Sequence, residues 1–116
     1  MKKDEVILTS VKKLLSDLPA EDTDFDDNIL DAINTSFATL FEIGCPAFEA
    51  TSNSKWGEFS TDSVLLGLCS CYVNNKVRII FDPPQQNSLL ESTKNLTEEY
   101  LQRISYYVDP GTGGGS

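Results

Sequence analysis

The stretch DFDDNILDAINTSFATLFEIG, residues 24–44, decides the fold. Phe25, Ile29, Leu30, Ile33, Phe37, Leu40 and Phe41 recur at steps of three and four, a spacing that gathers them on one stripe of a helix. Acids occupy the first turn, where they oppose the positive end of the helix dipole, and Asp24 stands where an N-cap belongs. Gly44 and Pro46 end the run. The segment reads as an amphipathic helix, and its neighbours repeat the pattern.

Upstream, Val6, Ile7, Val11, Leu14, Leu15 and Leu18 mark the apolar face of a helix from about Lys3 to Ser16, ended near Pro19. Downstream, periodicity disappears between Gly44 and Ser60, which reads as a long loop, and loops of that length are usually functional or mobile. A third helix starts at Thr61 or Asp62, either able to cap it, and runs through Val64, Leu65, Leu68, Tyr72, Val77, Ile79 and Ile80. The β-branched run from Val77 to Ile80 also suits a short strand, but the helical spacing ahead of it favours helix. Asp82, Pro83 and Pro84 break it, because a residue before proline is pushed out of the helical region.

A last helix spans about Ser88 to Tyr107, with Ser88 and Glu91 spaced as a capping box. Leu89, Leu90, Thr93, Leu96, Tyr100, Leu101, Ile104 and Tyr107 make its apolar side. The expectation is an all-α chain: a small bundle of four main helices with a long central loop, residues 1–108, and a flexible Gly-rich tail, residues 109–116, native or appended.

With 116 residues the chain supports one modest core. No apolar run approaches the roughly eighteen residues that span a bilayer. Val6-Ile7-Leu8 is too short for the apolar region of a signal peptide, so an intracellular protein without a membrane partner is expected. Nine basic against eighteen acidic residues give a net charge of −9, a field that repels nucleic acid and anionic lipid. Asp17, Glu21, Asp22, Asp24, Asp26, Asp27 and Asp31 follow one another with no Lys or Arg between, so this stretch must face water or a basic partner.

Chemistry-bearing motifs are sparse. There is no histidine, which removes the commonest acid/base and the commonest zinc ligand together. Cys45, Cys69 and Cys71 are an odd number, and on a helix Cys69 and Cys71 point about 200° apart, so they read as small fillers rather than as ligands or a disulfide. Asp22-Thr23-Asp24-Phe25-Asp26 is similar to the opening of a calcium loop, but Asp27 replaces the glycine at its sixth position and Ile33 the glutamate at its twelfth. No nucleophile with a positioned base and no paired-carboxylate motif is recognisable. No catalytic, metal-binding or cofactor-binding residue is assigned, and the chain reads as a non-enzyme.

Candidate contact residues are easier to find. Trp56 and Phe59 bring two large aromatics into a polar loop, either folding back over the core or anchoring a neighbouring subunit. Tyr106 and Tyr107, adjacent on a helix, diverge by about 100°, so one of them is expected to face outward. Lys76, Arg78, Lys94 and Arg103 are the basic residues after Lys55. They are ordinary surface groups or, in an assembly, partners for the acidic 17–31 stretch of an adjacent copy in a head-to-tail contact.

The run Lys76-Val77-Arg78-Ile79-Ile80-Phe81-Asp82-Pro83-Pro84, followed by a long amphipathic helix, resembles the head-tail connector (adaptor) proteins of tailed bacteriophages. So do Val11-Lys12-Lys13-Leu14-Leu15, the acidic linker after it, Phe25-Asp26 and Ile33-Asn34, while Trp56 and Phe59 fall where the family's loop carries aromatics. The segment Thr97 to Arg103 departs from the pattern in lacking a tryptophan. The resemblance implies a virion protein of the neck, made in the host cytoplasm, that forms a homo-oligomeric ring, a dodecamer, under the portal protein. The ring would join the DNA-filled capsid to the next neck, stopper or tail-completion protein, with DNA passing along the lumen without sequence-specific binding. Trp56, Phe59, Arg78, Arg103, Tyr106, Tyr107, Asp109 and Pro110 are the expected subunit or portal contacts, and no cofactor is implied. The other reading of the residues is a small acidic helical protein that binds or regulates a basic partner.

Overall fold

The computed structural model describes residues 3–15 and 22–109. It is all-α, with five helices and no strand among the described residues: α1 (Ile7–Lys12), α2 (Asp26–Glu42), α3 (Trp56–Phe59), α4 (Ser63–Phe81) and α5 (Asn87–Val108). The acidic positions Asp17 and Glu21, the expected stop at Pro19, Leu18, and the tail from Pro110 onward lie outside the described residues.

The central helix is α4, which packs on α2 and α5. Its start follows the sequence reading: Asp62 Oδ1 accepts from the amides of Val64 at 3.0 Å and Leu65 at 3.2 Å, satisfying two donors that a helix N-terminus leaves open. Val77 to Ile80 is helical, and the helix ends at Asp82 before Pro83. Length and composition alone would let α4 cross a bilayer. Its burial of Leu65, Leu66, Cys69, Tyr72, Val73 and Val77 between two other helices identifies it as the core helix of a bundle.

Helix α2 buries Ile29, Ala32, Ile33, Ser36, Phe37 and Leu40 at three- and four-residue steps. Asp24 is not its cap. Phe25 occupies that position with no side-chain cap, and the Asp24 amide instead donates to Asp22 Oδ1 at 2.9 Å in a tight turn. After α2 the chain reverses at Gly44, whose φ of +115° favours glycine, and Val108 of α5 closes over it. Phe25 meets Phe81 edge-on at 5.7 Å, so α2 begins where α4 ends, and the two are antiparallel.

Three expected boundaries shift. Helix α1 starts at Ile7 rather than near Lys3, because the residues before it pair with the central loop. The amides of Ile7, Trp56 and Gly57 donate to the carbonyls of Ser54, Glu5 and Lys3 at 2.9, 3.1 and 2.7 Å. Helix α1 also stops at Lys12, and Leu14 beyond it is exposed. At α5 the N-cap is Gln86 and not Ser88. The Gln86 carbonyl already accepts from Leu90 at 2.9 Å, so Ser88 lies inside the helix and no capping box with Glu91 forms.

The central loop is tied down rather than free. Asn34 of α2 clamps Ala50 from both sides, donating to its carbonyl at 3.0 Å and accepting from its amide at 2.6 Å. Trp56 Nε1 donates to Ser10 Oγ at 2.9 Å, and Phe37 gathers Phe48, Trp56 and Phe59 into an aromatic cluster with centroids 4.9 to 6.1 Å from it. The acidic stretch is also partly answered within the chain. Lys12 is buried, its ammonium 2.8 Å from Asp26 Oδ1 and donating to the Asp22 carbonyl at 2.6 Å.

Candidate interaction site

Helix α5 covers one side of the core, burying Thr97 and Ile104 and packing Tyr100, Leu101 and Val108 against it. Leu89 and Leu96, expected on its apolar side, are exposed. What the helix presents instead is a groove of about 810 Å³ with Leu68 of α4 on one side and Glu99, Gln102, Arg103, Tyr106 and Tyr107 on the other. Those five positions advance by three, one, three and one, the pattern of a single face over two turns. Tyr106 is 56% exposed and Tyr107 43%, so both tyrosines face outward rather than one.

One residue of the groove lining makes a polar contact across to the start of α4. Tyr107 Oη donates to Asp62 Oδ2 at 2.7 Å, while the other oxygen of that carboxylate caps α4. The tyrosine hydrogen bond, with the two backbone amides after it, holds the Asp62 carboxyl below its ordinary value, and the same carboxylate pushes the Tyr107 phenol up. This bond joins the end of α5 to the start of α4, which makes those two helices antiparallel. Arg103 pairs with Glu99 one turn away at 3.3 Å, both side chains well exposed.

The other expected contacts scatter. Trp56 and Phe59 are buried, at 0% and 5% exposure, so they follow the first of their two readings and cover the core. The reason is Phe37, which with Ser10 offers both rings an interior partner. Arg78 is half-buried on α4, with its Nε enclosed and without a hydrogen-bond partner. Asp82 caps the end of α4, its amide donating to the Arg78 carbonyl at 2.8 Å; Pro83 is exposed and Pro84 buried. Asp109 follows α5 as its C-cap, and Pro110 lies outside the described residues. Arg103, Tyr106 and Tyr107 are therefore the expected residues that the fold brings together.

Elsewhere Lys76 and Lys94 share a cleft between α4 and α5 with Glu91 and Glu98, a mixed-charge lining without a dominant sign. At the end of the molecule opposite the groove, Phe25 is 44% exposed, with Asp24 and Asp27 exposed beside it. All three cysteines are free. Cys69 is buried against Cys45, and that hydrogen bond together with burial pushes its thiol up, away from the reactive thiolate. No group of three or more potential metal ligands occurs among the described residues.

The spacing of Glu99 and Gln102 carries the signal, since projecting residues 99–107 on a helical wheel places them with Arg103 and Tyr106, whereas Leu68 joins them only through the packing of α4 on α5. The helical step from Phe25 to Ile29 predicts a core position, but Phe25 lies before the first turn of α2 and is exposed.

A family profile described as phage connector protein matches residues 7–111, from the start of α1 to just past the end of α5. No curated protein and no solved structure matches the chain.

Proposed function

The chain belongs to the phage connector protein family, and on that premise we propose that it is a head-tail connector subunit of the virion neck. In this role it forms a ring under the portal and joins the DNA-filled capsid to the next neck or tail-completion protein, leaving a channel for DNA. It is a structural part and not a catalyst.

The observation that carries the proposal is the family match across the whole described bundle. The physical features support it. A core closed by Trp56 and the Phe37 cluster makes each subunit a rigid block. The outward face of α5 presents Tyr106 and Tyr107, exposed aromatics of the kind enriched at contacts. With a net charge of −9 the subunit lacks the Lys and Arg excess that generates nonspecific affinity for phosphates, so DNA can pass without being held.

The test is assembly on a template. The purified chain is mixed with the portal protein encoded beside it and followed by sedimentation and negative-stain electron microscopy. Rings seated on one end of the portal are the expected result. A chain that stays monomeric and unbound at saturating portal would overturn the reading, and binding to a basic partner without portal would favour the regulatory alternative.

A further inference from the structure

On the ring reading, on which this inference rests, each subunit shows one surface to the copy before it and a different one to the copy after it. We propose that these are the Phe25 corner and the α4–α5 groove: Phe25 of one copy seats on Leu68, Tyr106 and Tyr107 of the next, with Asp24 and Asp27 beside Arg103.

The first argument is geometric. Phe25 is at the N-cap of α2, fixed edge-on against Phe81, yet nearly half of it remains exposed. It is thus a pre-positioned knob, which loses little rotational freedom on binding. The groove is lined mainly by apolar surface, and the bond from Tyr107 to Asp62 fixes one of its walls. Phe81, beside Phe25, and Leu68, in the groove, are thirteen residues apart on α4, about 20 Å at the rise of a helix. One copy cannot fill its own groove with its own knob. A contact that joins this knob to this groove is therefore between copies and heterologous, the kind that closes into a ring.

The second argument is charge. Lys12 pairs with Asp26, and Asp22 Oδ1 accepts from the Asp24 amide, which leaves the exposed Asp24 and Asp27 to set the sign around Phe25. Arg103 is the cation of the groove lining, and its pairing with Glu99 is an exposed contact of the kind that contributes little. Two carboxylates brought beside Arg103 supply the complementary sign that steers encounter and fixes register. Pairing groove to groove would instead leave Phe25 in water and set Arg103 near its own copy.

The experiment uses the full chain with a benzophenone amino acid in place of Phe25, illuminated at high concentration and on portal, and the products mapped by mass spectrometry. Cross-links from position 25 to the 99–107 segment of a second copy are expected. In parallel, Arg103→Glu is expected to weaken self-association by roughly tenfold, and Asp27→Lys in the same chain to restore it. Oligomers whose cross-links map elsewhere, or whose affinity ignores both charges, overturn this assignment while leaving the ring intact. If no oligomer forms even on portal, the assignment and the ring reading fail together. Cross-links from position 25 to portal rather than to a second copy give the Phe25 corner to portal and also overturn it.

Discussion

Replacing Asn34 by alanine tests whether the central loop is held by the bundle or merely rests on it. The Asn34 amide makes two hydrogen bonds to the backbone of Ala50, a residue with 4% of its surface exposed. Alanine removes both partners at once and leaves the Ala50 amide and carbonyl enclosed without a replacement. An unsatisfied buried backbone group costs about 1–3 kcal/mol, and the partly open setting of Asn34 argues for the lower half, so the two groups together cost about 2–4 kcal/mol. Trp56 is the one tryptophan in the chain and lies in the loop that Asn34 anchors, so its fluorescence reports unfolding directly. In a urea titration the slope is expected to stay unchanged, and at about 2 kcal/mol per molar the midpoint falls by about 1–2 M. A change below about 0.5 kcal/mol, the range of ordinary surface substitutions, would refute the clamp. If the fluorescence transition separated from the far-ultraviolet circular dichroism transition, the loop would be opening apart from the helices, and the same reasoning would fail for cooperativity.

Three further outcomes are expected. Gly44→Ala forces a side chain onto a φ of +115° with its Cβ 3.0 Å from Val108, and thermal unfolding should show a loss of about 1–3 kcal/mol. Lys12→Met removes the buried partner of Asp26 and the donor to the Asp22 carbonyl; because Asp26 keeps some exposure, a loss of about 2 kcal/mol is expected in urea, reduced when Asp26 is changed to Asn as well. Asp62→Ala probes a carboxyl whose folded pKa lies below the ordinary 3.8: its contribution is fully present above that value and is lost as pH falls through the lower folded one. The stability difference between Asp62→Ala and the parent chain should therefore be constant near neutrality and shrink in strong acid, and a difference that grew on acidification would refute the assigned direction.

What the sequence made legible, and what it hid, divides along the range of the interactions involved. Helices α2 and α4 were readable because their order is local: a 3.6-residue apolar period, an Asp62 cap, a Gly44 stop and a Pro83 break each act within a turn or two. The start of α1 was not, since Lys3 and Glu5 are claimed by amides more than fifty residues away, and no local propensity records that competition. The same cause hid the closed state of the central loop, which depends on Asn34 reaching Ala50 and on Ser10 receiving Trp56. The cap of α5 is hidden for a different reason. Ser88 and Glu91 have the right spacing, but the turn after Pro84 delivers Gln86 first, and the earlier residue takes the position. The groove shows the same limit at the level of the site. Arg103, Tyr106 and Tyr107 were marked by residue type, yet their common face becomes a surface only because Leu68 meets it from α4 and Asp62 holds Tyr107 in place. A contact site on a helical bundle is thus half legible: the helix that carries it can be read from its period, whereas its other wall waits on the packing partner.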